Sequence, residues 1–142
     1  MKKVLVTGGT VFVSKFAAQY YVDKGYEVYV LNRNTKPEVE NVKLIEADRH
    51  DLGDKLKEIH FDLVLDVTAY NEADITDLVS ALDSFDTYIM ISSSAVYPDT
   101  GIQPFKEDTK LAENKFWGFY GTDKIAARNC ALICASHTPS FK

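Results

Sequence analysis

The chain has 142 residues, 46% of them hydrophobic and 26% charged, with a formal net charge of −5. A chain of this size forms one domain that buries about two-thirds of its unfolded surface without disulfides or metals, and its acidity argues against a nucleic-acid backbone or an anionic membrane as partner. No apolar stretch approaches the ~20 residues of a membrane span and no secretory h-region is present; Met1-Lys2-Lys3 leads straight into a strand, so a cytoplasmic protein beginning at its natural start is expected.

Val4-Leu5-Val6 is an apolar run without polar alternation, the pattern of a strand buried on both faces of a parallel sheet. Thr7-Gly8-Gly9-Thr10 breaks it, and Phe12, Val13, Phe16, Ala17 and Tyr20 recur at helical spacing until Lys24-Gly25. A strand, a glycine turn and a helix in this order turn free N–H groups of a helix start toward the sheet edge, where they favour a phosphate or pyrophosphate. The dinucleotide-binding form of the turn carries three glycines. Here Gly8 and Gly9 serve the turn, and Val11 and Ser14 stand at the later positions, so an ordinary βα turn without a ligand is the competing reading.

Residues 26–31 read as the second strand, aromatic and β-branched, ending in Asn32-Arg33-Asn34. In a dinucleotide fold this is where the adenosine ribose lies. An acidic residue there would repel a 2′-phosphate; Asn32 does not, and Arg33 could pair with one, which tilts the cofactor toward NADP over NAD. The alternative is a solvated loop arginine. Residues 35–41, polar and containing Pro37, form a loop.

Val42 to Ala47 is the third strand, followed by Asp48-Arg49-His50-Asp51. Asp51 is a plausible N-cap for a helix presenting Leu52, Leu56 and Ile59 on one face. Asp48 is either within reach of an adenine amino group or a turn aspartate, and His50 and His60 read as solvated. Phe61 to Val67 is the fourth strand, ending at Thr68-Ala69-Tyr70; residues 71–85 form an amphipathic helix with Ile75, Leu78, Val79 and Leu82 inward; Thr87 to Ile91 is the fifth strand. It runs into Ser92-Ser93-Ser94-Ala95-Val96-Tyr97-Pro98, hydroxyls at the strand end where open α/β sheets keep their ligand crevice.

A polar loop spans 99–114, and from about Leu111 a helical pattern returns and runs to about Ala135, with His137-Thr138-Pro139 reading as its end. Cys130 and Cys134 share one face of it and read as free thiols; no metal site is assigned. Five strands alternating with helices predict an α/β, doubly wound parallel sheet of order 3-2-1-4-5 with right-handed crossovers.

Tyr120 and Lys124, four apart, emerge on one helix face. A tyrosine is a poor base near neutrality, but a neighbouring ammonium favours its phenolate. With a serine hydroxyl to hold a substrate oxygen, the three groups could move a proton at a carbinol while a nicotinamide takes the hydride. A surface tyrosine and a solvated lysine are the bland alternative.

The Thr-Gly-Gly-Thr turn, Ser-Ser-Ser-Ala-Val-Tyr after the fifth strand and Tyr-Gly-Thr-Asp-Lys in the next helix, in that order, resemble the extended short-chain dehydrogenase/reductase family. More narrowly, the chain is similar over essentially its whole length to the NAD-dependent epimerase/dehydratase branch, which includes nucleotide-sugar epimerases and dehydratases. The resemblance implies a pyrophosphate turn of Thr7, Gly8, Gly9, Thr10, Phe12 and Val13, with Asn32 and Arg33 at the adenosine ribose. It implies Asp48 and Arg49 beside the adenine and Thr68, Ala69 and Tyr70 on the nicotinamide side. It further implies Ser93 as the catalytic hydroxyl, Tyr120 as general acid/base, Lys124 as the cation that supports it and binds the nicotinamide ribose, and Ser94 and Tyr97 at the substrate. Val11, Ser14 and Pro98 stand where the family has glycines.

Family members are about twice as long, with a sixth strand and a C-terminal substrate domain after this helix. The chain therefore reads as an NAD(P)-binding N-terminal domain over 1–142, truncated after the Tyr-x-x-x-Lys helix. Two functions follow: an NAD(P)-dependent epimerase, dehydratase or reductase acting on a nucleotide sugar, or a non-catalytic nucleotide-binding or regulatory module, an inactive remnant included. RNA binding, found in some relatives of this branch, is opposed by the net charge. Apolar surface left uncovered by the shorter chain predicts a homo-oligomer.

Overall fold

The computed structural model describes residues 1–100 and 102–137. Five strands, β1 (Lys3–Thr7), β2 (Glu27–Asn32), β3 (Lys43–Glu46), β4 (His60–Asp66) and β5 (Ser84–Met90), form one parallel sheet in the order β3-β2-β1-β4-β5. Helix α1 (Phe12–Asp23) links β1 to β2, α2 (Glu72–Ala81) links β4 to β5, and α3 (Phe119–His137) follows a 3₁₀ turn at Ser94–Val96. This is the doubly wound Rossmann-like sheet that the alternation of elements predicts.

The central strand explains the arrangement. Val4, Leu5 and Val6 are fully buried, with Val4 and Val6 packing on one side among Val28, Val30, Leu65 and Ala18 of α1. Leu5 points to the other side, among Phe61, Val64, Leu78 and Phe85. Since neighbouring strand residues face opposite ways, a strand apolar at every position needs cover on both faces. A smaller cluster of Ala69, Ile75, Ala127 and Cys130 joins α3 to α2. Burial, with Cys134 beside it, pushes the Cys130 thiol up to about 11, so it stays protonated and a weak nucleophile at neutral pH.

Three element boundaries differ from the sequence-based expectation. No helix begins at Asp51. Residues 53–58 form consecutive turns, with Lys55 N–H donating to Leu52 O at 3.2 Å and Lys57 N–H to Asp54 O at 3.0 Å, and Glu58 takes φ 63°. Leu52 and Leu56 are nonetheless buried at 4% and 0% exposure, so apolar side chains four apart reach the core from turns as well as from a helix. Helix α2 stops at Ala81 because Leu82 is already extended at ψ 142°, and β5 therefore begins at Ser84, three residues before the predicted start. Helix α3 begins at Phe119 and not near Leu111. Asn114 captures the intervening backbone: its Oδ1 accepts from Phe116 N–H at 3.0 Å and its carbonyl from Gly118 N–H at 3.0 Å. Of the predicted helix end at His137-Thr138-Pro139, His137 is the last residue of α3, and Thr138 and Pro139 lie outside the described residues.

Candidate active site

Gly8 and Gly9 turn the chain at the carboxyl end of β1 with φ 90° and 88°. A Cβ on Gly9 would lie 2.6 Å from Val30 Cγ1, so glycine is required by close contact with β2 as well as by backbone angle. Ser14 is buried, its Oγ donates to Val11 O at 2.9 Å, and it lies against Gly8, whose Cβ would meet Oγ at 3.0 Å. A serine therefore fits where helix and turn close on each other, with its hydroxyl satisfied locally. Val11, the extended N-cap of α1, supplies no capping side chain, so the first N–H groups of the helix lack an acceptor from that position. Phe12 opens the helix at φ 44°, and its side chain and that of Val13 are exposed; toward a ligand in the turn these two residues have their backbone to offer.

A cavity of about 420 Å³ opens beside this turn, at the carboxyl ends of the strands. Of the residues proposed from sequence for a cofactor, Thr7, Gly8, Thr10, Asn32, Arg33, Asp48, Arg49, Thr68 and Tyr70 line it. Gly9, Phe12, Val13, Ala69 and Lys124 do not. Val11 and Ser14 also border it.

Several of these side chains are engaged with the protein. Asn32 Nδ2 donates to Gly8 O at 2.6 Å and Glu38 Oε1 at 2.9 Å, while its Oδ1 accepts from Asn34 N–H at 2.7 Å. Thr7 Oγ1 donates to Asp66 Oδ1 at 2.8 Å and accepts from the Val67 and Thr68 N–H groups at 2.9 and 3.1 Å. The hydroxyl thereby staples β1 to the end of β4.

Beneath the cavity lies a buried charge network. Asp66, fully buried, accepts from Arg49 Nη1 at 3.2 Å and Nη2 at 2.9 Å, and from Tyr88 Oη at 2.6 Å. Arg49 also donates to Thr68 Oγ1 at 3.1 Å and Asp74 O at 2.5 Å. Its Nε lies 3.4 Å from Asp74 Oδ1, within ion-pair range but without hydrogen-bond geometry. Asp74 Oδ2 in turn accepts from the Tyr70 and Asn71 N–H groups at 2.6 and 3.1 Å, holding the Thr68–Tyr70 segment against α2. Burial first, then Asp66, pushes the Tyr88 hydroxyl far above its ordinary value, so it remains a donor. Pattern reading missed Asp66 and Asp74. The available signal was a carboxylate at position 66 of the predicted Phe61–Val67 strand, among apolar residues, which demands a partner when buried.

At the other end of the site, Lys124 is 3% exposed, and its Nζ donates to Ala69 O at 2.6 Å and Ile91 O at 3.0 Å, the residues just beyond β4 and β5. The ammonium lies 5.2 Å from the Tyr70 ring centroid, and the Tyr120 ring stands 6.1 Å from Tyr70 and 6.0 Å from Trp117. Gly121 brings these groups to the sheet edge. A Cβ there would be 2.6 Å from Ala95 O, so only glycine lets α3 sit so closely on the 3₁₀ turn. Ser93 Oγ accepts from Ala95 N–H at 3.2 Å, capping that turn. It lines a second cavity, of about 370 Å³, together with Ser94, Tyr97 and Arg128. The structure thus joins Tyr70, Tyr120 and Lys124 in one cluster and Ser93, Ser94 and Tyr97 in another, with Gly121 and Ala95 where the two meet.

Residues 4–138 match the model of the NAD dependent epimerase/dehydratase family. The chain belongs to that family. It is 26% identical over 125 residues to the chloroplast stem-loop binding protein of 41 kDa b of Arabidopsis thaliana, a match covering 75% of this chain and 33% of that protein. A crystal structure of a UDP-glucose 4-epimerase superposes with a TM-score of 0.83 at 19% identity, over 96% of this chain and 48% of the other. MoeE5 in complex with UDP-glucose and NAD gives 0.74 at 23% identity, over 95% and 50%. At such identities the solved structures establish a common fold. The chain spans about half the length of these two solved structures and a third of the Arabidopsis protein.

Membership in the epimerase/dehydratase family makes NAD(H) the group whose fit the cavity must meet. Gly9, with no room for a Cβ, the uncapped start of α1 and a cavity running from Asn32 and Arg33 to Thr68 and Tyr70 are compatible with an extended dinucleotide. Among the described residues no helix is long and apolar enough to cross a membrane.

Proposed function

We propose that this domain binds NAD(H) along the cavity between Asn32 and Tyr70 and carries the proton-transfer residues of a nucleotide-sugar epimerase, dehydratase or reductase. The observation that carries the reading is Lys124, a buried ammonium held by the Ala69 and Ile91 carbonyls within one aromatic cluster with Tyr120 and Tyr70. A buried lysine is costly without such partners. Two of its three donors are taken, and the third remains for a ribose hydroxyl.

When bound, the dinucleotide supplies the hydride acceptor and donor. Tyr120, acting as the phenolate, accepts the proton of a substrate hydroxyl and becomes the neutral phenol, with the Lys124 ammonium one helical turn away along α3. Ser93 Oγ, already an acceptor from Ala95 N–H, keeps its own proton to donate to the substrate oxygen. Ser94 and Tyr97 line the same cavity as Ser93 and belong to the substrate side. UDP-sugars are the first candidates, since the structural relatives include UDP-glucose 4-epimerase and MoeE5 with UDP-glucose. Exposed Phe12, Phe16, Phe116 and Phe119 favour self-association, for which sedimentation velocity is expected to give a dimer or larger species.

A non-catalytic nucleotide-binding module is the second reading. It is favoured by the absence, among the described residues, of any hydrogen bond linking Ser93, Tyr120 and Lys124. Calorimetric titration with NAD separates both from an inert fold: micromolar binding, weakened at least about ten-fold in Lys124→Met, is expected. Turnover of UDP-glucose or UDP-galactose by the NAD-loaded chain, lost in Tyr120→Phe, selects the enzyme. Binding without turnover selects the module.

A further inference from the structure

Trp117 is the one tryptophan of the chain, and it stands 55% exposed in the turn just before α3. A single exposed aromatic is ordinary on a protein surface; this one is held in place by its surroundings. Its N–H donates to Asn114 O at 3.0 Å, and so does that of Gly118, which takes φ 48°. Asn114 is itself 9% exposed; its Oδ1 accepts from Phe116 N–H and its Nδ2 donates to Tyr97 O, both at 3.0 Å. Lys115 adds an ion pair with Asp99 at 3.0 Å. The turn that carries the indole is thus tied to the segment that carries Ser93, Ser94 and Tyr97.

The indole also lies where the two clusters of the site meet. Its ring is 6.0 Å from the Tyr120 ring and inclined to it by 53°. Its Cβ is 3.7 Å from the Cβ position of Gly121, which in turn is 2.6 Å from Ala95 O. On one side stand Tyr120, Tyr70 and Lys124, on the other the cavity of about 370 Å³ lined by Ser93 and Ser94. A sugar hydroxyl that gives its proton to Tyr120 while Ser93 donates to its oxygen sits at this junction.

A pyranose carries hydroxyls around its rim and C–H bonds on its two faces. The rim calls for hydrogen-bonding partners, whereas the apolar, weakly positive face suits the negative face of an aromatic ring. Ser93, Ser94 and Tyr120 serve the rim. Resting on the nucleotide-sugar reading above, we propose that Trp117 is a sugar-binding residue, whose indole stacks against the pyranose of the substrate and fixes which face is turned toward Tyr120. It is a positioning contact and carries no proton.

Because the chain has one tryptophan, its emission reports on this position alone. The NAD-saturated chain is titrated with UDP-glucose and, in parallel, with UDP, each followed by emission and by calorimetry. Trp117→Ala and Trp117→Phe are titrated by calorimetry, with a thermal melt of each. UDP-glucose is expected to shift or quench the emission and UDP to leave it unchanged. Trp117→Ala is expected to weaken UDP-glucose roughly three- to ten-fold, with UDP and NAD affinities and the melt close to wild type, and Trp117→Phe to recover most of the loss. Equal weakening of UDP and UDP-glucose, or an emission change with UDP as large as with UDP-glucose, places the indole at the nucleotide and overturns the proposal. UDP-glucose binding with unchanged emission, and with unchanged affinity in Trp117→Ala, overturns it as well. Failure of the NAD-loaded chain to bind UDP-glucose removes the nucleotide-sugar reading and the stacking role with it, while the NAD site stands or falls on its own titration.

Discussion

Arg49 and Asp66 show how a few buried polar side chains shape this site. Their pair is at most 13% exposed on one side and fully buried on the other, so water cannot replace a missing partner. Among the described residues, Arg49→Met leaves the Asp66 carboxylate with Tyr88 and Thr7 as donors. A loss of roughly 3–5 kcal/mol is expected from the urea midpoint, with partial recovery in Arg49→Met/Asp66→Asn, where no uncompensated charge remains. His50 is a milder case. Its Nδ1 meets Asp77 Oδ2 at 2.6 Å and its Nε2 lies 3.1 Å from Asp74 Oδ1, and the hydrogen bond with Asp77 raises its pKa above the ordinary 6.5. A raised folded-state value means that the imidazolium stabilises the fold fully below pH 6.5 and that this contribution fades as pH rises through the folded value. Urea midpoints measured across that range should decline with rising pH in the wild type and flatten in His50→Gln. The effect is small because the ring is half exposed.

Among the elements, α3 decides whether Tyr120 and Lys124 meet Tyr70 at the sheet edge. Its approach to the sheet edge runs through the absence of a side chain at Gly121. Gly121→Ala drives a methyl group into Ala95 O, and because a backbone oxygen cannot swing aside as a flexible side chain does, the helix must move. A destabilisation of about 1–3 kcal/mol is expected in thermal unfolding. NAD affinity should fall as well, since Lys124 would leave the Ala69 and Ile91 carbonyls; an unchanged affinity would mean that Lys124 is not part of the site. Helix α2 acts in the same direction from the other side. Its capping box pairs Asn71 Oδ1 with Asp74 N–H at 3.0 Å, and the same Asp74 carboxylate receives the Tyr70 and Asn71 N–H groups. One aspartate thus starts a helix and fixes the Thr68–Tyr70 segment before it.

At the scale of the whole molecule, the parallel sheet collects the turn after β1, the ends of β4 and β5 and the start of α3 at one edge. Ligand binding to that edge draws on the stability of the entire sheet. NAD at about a hundred times its dissociation constant should stabilise the chain by about 2.7 kcal/mol, a rise of several degrees in Tm. Scanning calorimetry with and without NAD reads this directly, and an unshifted Tm would count against a site in the Asn32–Tyr70 cavity.

The order of elements and the strand order were legible in the sequence, because Val4-Leu5-Val6 is apolar throughout, Phe61 to Val67 is apolar except at Asp62 and Asp66, and such short runs alternating with helical patterns fit a parallel sheet covered on both faces. Gly8-Gly9 and the spacing of Tyr120 and Lys124 were legible too, being local in the chain. The helix expected after Asp51 was misread because Leu52, Leu56 and Ile59 obey helical spacing while the backbone forms turns. Contacts between residues distant in sequence were hidden: Arg49 with Asp66 and Asp74, Lys124 with the carbonyls of Ala69 and Ile91, Gly121 against Ala95. Spacing along a chain determines which face a side chain takes, and it does so within one element. Which buried charge meets which depends on how separate elements pack, and only the tertiary structure decided that.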